Sequence, residues 1–500
     1  MRTRGELMRI LFIDIDTMRA DHLSCYGYHR KTSPNIDRVA AQGVRFDNYY
    51  ASDAPCLPSR AALSTGRFGI HTGVVGHGGT TAEMRVEGAD RGFRGEYGDF
   101  LGGVLTRAGL RPVTISPFAE RHGAWWWYAR FAEMYNPARK GGQEVADDLT
   151  PTALDWIRKN AAKDNWFLHV NYWDPHTVYR TPEEFGNPFE HDPLPAWLTE
   201  EVLEAHRRLV GPHSAREINM WDAKEYPQWP RQPGELKDMR DLRRMIDGYD
   251  CGIAYADTHV GYLLEALEEQ KVLDETVIIV SSDHGECQGE LGIYGEHGTA
   301  DLITHRIPLI IRWPGLTRGT AVSGLFYNLD LLPTLAEMLA VEPSPRWDGR
   351  SFAGVLRGEK DAGRQFLILS HCTHSCQRSV RFGRWLYIRT WHDGFRLFSD
   401  EMLFDVVEDP HERKDLAPDR PDLCAEACRL YQQWHSEMMR TMPYPYTEDP
   451  LWTVMREGGP YHVRGKLPSY LERLRATGRG YAEEELRRRH PHEFQPRHRW

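Results

Sequence analysis

Short apolar runs in this chain end abruptly in polar clusters, and the pattern occurs three times. Residues 10–15 are β-rich and end in Asp14-Ile15-Asp16. Residues 166–172 end at Trp173-Asp174-Pro175-His176, and residues 276–280 at Ser281-Ser282-Asp283-His284-Gly285. Near-continuous apolar strands belong to parallel sheets buried on both faces by helices. Helical stretches fill the intervals, at 35–41, 151–160 and 242–270. This alternation predicts an open α/β fold, a large mostly parallel central sheet flanked by helices. Ligands in such folds gather beyond the carboxyl ends of the strands. All three polar clusters lie at such ends, so they are expected to converge on one site.

After about residue 365 the pattern changes. Residues 366–370, 379–382, 384–390 and 395–398 read as short antiparallel strands, and 421–439 as a helix. The expected organisation is a large α/β domain at 8–365, a smaller C-terminal α+β subdomain at 366–460, and a basic helix and tail at 461–500. The tail, rich in Arg and His, reads as solvated; docking on a partner subunit is the sharper alternative.

A chain of 500 residues, 41% of them hydrophobic, is ample for a large core. The net charge of −10 argues against nucleic-acid binding but leaves room for an anionic substrate in a locally positive site. No apolar run approaches the roughly 18–20 residues that span a membrane. The basic start, Met1 to Arg9, enters a strand with no signal-peptide stretch, which predicts a cytoplasmic protein. Eight Cys do not make a disulfide scaffold. Cys372 and Cys376, which flank His374, and the pair Cys424 and Cys428 lack the Cys-x-x-Cys spacing of zinc sites. They read as reduced, partly buried thiols.

The chemistry begins at Asp14 and Asp16, two apart on a strand and so on one face. Carboxylates that point together repel unless a cation or protons lie between them. With Asp283 and His284 they make a candidate divalent site, oxygen-rich enough for calcium or magnesium; the imidazole also tolerates manganese or zinc. Cys56 sits in Ala54-Pro55-Cys56-Leu57-Pro58-Ser59-Arg60. Pro58 suits a first helical turn, whose unpaired N–H groups favour an anion. Arg60, one turn on, offers a planar fork to the same anion. The competing reading is an ordinary helix start with a buried, inert thiol.

Cys56-Leu57-Pro58-Ser59-Arg60 followed by Leu63-Ser64-Thr65-Gly66-Arg67 resembles the signature of the type I sulfatases, of the alkaline phosphatase-like superfamily. Asp174-Pro175-His176-Thr177, Ser282-Asp283-His284-Gly285, Arg306-Ile307-Pro308 and residues 402–410 resemble later segments of that family, in its order. The resemblance implies that Cys56 is oxidised to formylglycine by a formylglycine-generating enzyme. The hydrated aldehyde then attacks a small-molecule or glycan sulfate ester. It implies one divalent ion, calcium with manganese as the alternative, on Asp16, Cys56, Asp283 and His284. Asp14 is added from strand geometry. Arg60, His176 and His297 are expected as catalytic groups that also bind substrate, with His122 beside them. Homo-oligomerisation is a further possibility. The competing functions are a phosphonate monoester or phosphodiester hydrolase of the same superfamily, and an inactive binding homologue.

The sequence also departs from the family pattern. Thr17 stands where relatives carry the second Asp of a pair, and His297 where they carry a Lys. The usual Gly-Lys-Trp-His segment is replaced by Ser116-Pro117-Phe118-Ala119, followed by Glu120-Arg121-His122. Trp125-Trp126-Trp127-Tyr128 reads as core packing rather than a sugar-stacking wall.

Overall fold

The structure, a computed structural model, describes residues 8–85, 95–163, 165–360, 363–443 and 445–495. Most of the basic start and the last five residues of the tail lie outside the described residues. The large sheet has nine strands. Its centre is Arg9–Ile15, paired in parallel with Trp166–Tyr172 on one side and Thr276–Ser281 on the other. Arg111–Ile115 continues the parallel run beyond Trp166–Tyr172, while Arg306–Arg312 runs antiparallel to Thr276–Ser281. Asp14 pairs in register with Asn171 and Ser281, so the three polar clusters end level with one another.

Each apolar run is continuous because both sheet faces are covered. Leu11, Ile13 and Ile15 pack under the helices Met239–Glu269 and Ala146–Asn160. Ile10 and Phe12 face Cys56–Thr65, Leu101–Arg107 and Leu331–Met338. The helix expected from residue 151 starts earlier, at Ala146. The Asp148 carboxylate accepts from the Val145 N–H at 3.0 Å, and Asp174 Oδ1 accepts from the Ala146 N–H at 3.0 Å. Those caps satisfy donors that a helix start leaves open. Trp126 and Trp127 are buried, with Trp127 against Phe118 and Phe131, while Trp125 is exposed.

The smaller sheet is an antiparallel meander of Phe366–His371, Cys376–Phe382, Trp385–His392 and Glu401–Asp405. Asp53–Ala54 joins its edge in parallel, from far upstream. Residues 395–398 are not a strand. Asp393 Oδ1 accepts from the Phe395 N–H at 2.8 Å, and Phe395 (φ 69°) and Leu397 (φ 58°) turn through the left-handed region. The helix Pro421–Arg440 buries Cys424, Ala427, Leu430 and Trp434 against this sheet. The eight cysteines are free, with Cys372 and Cys376 sulfurs 3.6 Å apart.

The tail is only partly solvated. Leu467, Tyr470, Leu471, Leu474 and Leu486 bury together with Val210 and Phe395. Arg473 and Arg479 both pair with the buried Glu217, so part of the basic surplus is spent inside the fold. No helix among the described residues is long and apolar enough to cross a membrane.

Candidate active site

The site has a floor of carboxylates at strand ends. Cys56 is the first residue of the helix Cys56–Thr65, and Ser59 ties that helix down by donating to the Asp283 carbonyl at 2.6 Å. The helix stops at Gly66, whose left-handed φ of 66° suits glycine; a Cβ there would also sit 3.1 Å from the Trp347 ring. Arg60, fully buried, meets three carboxylates. Its Nη2 lies 2.9 Å from Asp14 Oδ2 and its Nη1 3.0 Å from Asp16 Oδ2, and Nη1 also bonds Asp283 Oδ2. If all three ionise, the floor holds two negative charges more than Arg60 cancels.

The electrostatics follow from that imbalance. Burial, then the Asp283 charge, pushes the Asp16 carboxyl well above its ordinary range, with Arg60 opposing. Burial also opposes ionisation of Asp14, but Arg60 and His169 override it and hold that carboxyl low. Burial and the charges of Asp16 and Asp283 push the Cys56 thiol well up. Cys56 Sγ lies 3.0 Å from His284 Nε2, while His284 Nδ1 donates to the Gly285 carbonyl at 2.9 Å. The His284 lone pair therefore points at Cys56.

Ligand atoms of Asp16, Cys56, Asp283 and His284 all lie within 4.8 Å of one another, and Asp16 Oδ1 is buried with no hydrogen-bond partner. This donor set and its excess negative charge fit a divalent cation. Asp14 is outside the group; it occupies the other edge of the Arg60 guanidinium and touches His169 at 3.4 Å. Thr17 is a β-branched residue at φ 57°, a strained conformation. Its N–H donates to Asp283 Oδ1 at 3.3 Å, and its buried hydroxyl has no partner.

Opposite the floor stands a wall of imidazoles. The His284 and His297 rings are 4.0 Å apart, and His176 lies 5.2 Å from His297. His176 Nδ1 donates to the Thr177 carbonyl, leaving Nε2 4.0 Å from Asp16 Oδ1. His297 Nε2 lies 3.0 Å from Glu296 Oε1. Burial, foremost, holds both His176 and His297 well below the ordinary histidine value. His122 joins the wall at its half-buried edge, 5.0 Å from the His77 ring and 6.3 Å from Trp173.

Every sequence-predicted site residue is therefore in this neighbourhood, with Asp14 displaced to a supporting position. Sequence reasoning missed several neighbours. His77 Nε2 accepts from the Leu57 N–H at 3.4 Å, one residue past Cys56. His374 and His213 face Glu296 from 3.6 and 2.9 Å, and His462, from the tail, stacks on His374 at 4.5 Å. Glu296 had one signal, its place beside His297. His374, between Cys372 and Cys376 in sequence, approaches Glu296.

The sulfatase family model matches residues 9–341, and a model for the C-terminal part of N-sulphoglucosamine sulphohydrolase matches residues 292–438. A choline-sulfatase of Rhizobium meliloti is 26% identical over 423 residues, 77% of each chain. A phosphonate monoester hydrolase of Agrobacterium radiobacter superposes with a TM-score of 0.67 at 21% identity, over 87% of this chain and 96% of that one. A protein solved with its substrate D-glucosamine-2-N,6-O-disulfate gives 0.69 at 20% identity, over 87% and 98%. The two superpositions speak to fold, and the first family match spans the strand-end clusters and the Cys56 helix together. The chain belongs to the sulfatase family, whose members hydrolyse sulfate esters.

Proposed function

We propose that this enzyme cleaves a small-molecule or glycan sulfate monoester with formylglycine, made from Cys56, as its nucleophile. The observation that carries the reading is Cys56 at a helix N-terminus, 3.0 Å from His284 and grouped with Asp16 and Asp283. A thiol pushed upward by burial and by two carboxylates is a poor nucleophile as it stands. Oxidation to an aldehyde would supply a hydrated carbon centre at the same point. Asp16, Asp283 and His284 would hold a divalent ion, calcium by its oxygen donors, with manganese as the alternative favoured by the imidazole. That ion would supply Lewis-acid charge stabilisation beside the nucleophile.

The remaining work falls to the chain's own side chains. Arg60 presents its guanidinium to the sulfate oxygens, and Asp14 orients it through their 2.9 Å contact. His297 is the better placed proton donor to the leaving alcohol: burial holds it low in the free enzyme, and the Glu296 carboxylate 3.0 Å away partly offsets that. An arriving anionic ester would favour its protonation. His176, whose Nδ1–H is committed to Thr177, offers Nε2 as an acceptor that positions substrate. His122, half-buried, lines the approach.

Two measurements test this. Mass analysis of the Cys56 peptide, after co-expression with a formylglycine-generating enzyme, should give the aldehyde; an unmodified thiol in a fully active enzyme would sink the nucleophile assignment. Sulfate and phosphate esters of one phenol, assayed side by side, should favour the sulfate. The Asp283-His284 pair and the superposition on a phosphonate monoester hydrolase support the competing reading, and a large preference for the phosphodiester would establish it.

A further inference from the structure

Glu296 is surrounded in a way that a carboxylate in a simple ion pair is not. It ends the short strand Tyr294–Glu296 and is buried, 5% exposed. Three imidazole nitrogens approach it: His213 Nε2 at 2.9 Å from Oε2, and His297 Nε2 and His374 Nε2 at 3.0 and 3.6 Å from Oε1. Of the ring nitrogens around it, His213 Nε2, His297 Nδ1 and His374 Nδ1 are buried with no well-aligned hydrogen-bond partner.

The tautomer of His213 sharpens the point. Its Nδ1 lies 2.9 Å from the Ile218 carbonyl, which can only accept, so Nδ1 carries the proton. In the neutral ring, Nε2 is then a bare lone pair facing a carboxylate oxygen. Two lone pairs at that distance repel unless they share a proton or a metal ion. A ring nitrogen pinned to a backbone carbonyl, with its mate turned inward, is the outer-shell arrangement that orients metal-bound histidines. Ligand atoms of His213, Glu296 and His374 lie within 4.8 Å of one another.

We infer that His213, Glu296 and His374 form a second metal site, beside the floor group and separated from it by His297. Two imidazoles and one carboxylate with an open fourth position suit zinc. The site draws on three distant parts of the chain: a loop, a strand end and the smaller sheet. The inference concerns binding and does not need formylglycine to be correct.

The test is zinc content by plasma mass spectrometry, on untagged full-length protein incubated with Zn2+ and freed of excess. A Cys56→Ala, Asp283→Asn, His392→Gln background disables the floor group and the separate cluster of His392, His490 and His492, so retained zinc reports the second site. The background should keep one zinc per chain, and Glu296→Gln added to it should lose that zinc. Background protein that keeps none, or a Glu296→Gln variant that keeps as much, overturns the inference and leaves a buried His213–Glu296 ion pair. As a second readout, Co2+ added to wild-type protein should give the visible bands of nitrogen-ligated cobalt, weakened in His213→Ala and in His374→Gln. Identical spectra in all three proteins would equally overturn it.

Discussion

The floor and the wall of this site are built by opposite means. The floor is Asp14, Asp16, Asp283 and Arg60, fixed by parallel strands in register and by one helix tied to a strand end. It carries surplus negative charge. The wall is mostly imidazole, drawn from loops, from the smaller sheet and from the tail, and its one carboxylate is Glu296. The floor owes its geometry to the backbone, whereas the wall depends on long-range packing. A rigid anionic base that calls for a cation, under a tunable basic roof that receives an anion, suits an enzyme whose substrate binds between them.

The largest effect that would separate the two should come from Arg60→Ala. It strands three buried carboxylates, so stability should fall by about 3–5 kcal/mol in a denaturant melt. Activity should fall at least ~100-fold through the lost donor to the sulfate oxygens. Adding Asp14→Asn should recover part of the stability and none of the activity. If Asp14→Asn restores turnover, Arg60 acts on the floor alone.

On the wall, His297→Asn should lower kcat by about 100- to 10,000-fold with a poor alcohol leaving group, as expected for a lost proton donor. The loss should shrink with an activated phenol ester. Equal losses on both esters would assign His297 to binding.

The wall should also make the protein acid-sensitive. Burial foremost, with neighbouring positive charge, holds His77, His122, His176, His297 and His374 well below 6.5. The folded protein therefore binds fewer protons than the unfolded chain once pH drops below about 6.5. Stability present above that pH is lost as pH falls towards the depressed values, by about 1.4 kcal/mol per unit for each imidazole. Melting curves between pH 7 and 5 should show this slope, and His122→Gln should flatten it. A flat profile in the wild type would mean that the wall is already charged. The smallest effect is expected from His462→Ala, which should raise KM a few-fold and leave kcat unchanged in initial-rate assays.

Much of the floor was legible in the sequence because strand-end chemistry is local. A continuous apolar run such as residues 10–15 announces a buried strand, and the Asp that follows it announces an end. Cys56, Pro58 and Arg60 lie within one turn of each other, so their spacing already carried the geometry. The wall was legible only where a histidine sat inside a recognisable segment, as His176 and His297 do. His77, His213, His374 and His462 reach the site through contacts with residues roughly 20 to 90 positions away in sequence, which spacing does not encode. The tail was misread for a different reason. Its arginines dominate the composition, yet Leu467, Leu471 and Leu474 stand at helical intervals and form a buried stripe. Residues 395–398 alternate like a strand, but the Asp393-Gly394 turn before them and the burial of Phe395 decide otherwise.

The edge strand Asp53–Ala54 gives the Cys56 segment a clock. It lies immediately before the nucleophile helix and pairs with Ser370 and His371 of the smaller sheet. A ribosome adding about 5–20 residues per second needs roughly 15–60 s to travel from one partner to the other. Throughout that interval the strand leading into Cys56 has nothing to pair with. An enzyme that must reach the thiol before the fold closes over it has a window set by the length of the intervening chain. Lengthening the chain between these partners would hold that window open; bringing the smaller sheet nearer in sequence would shut it early.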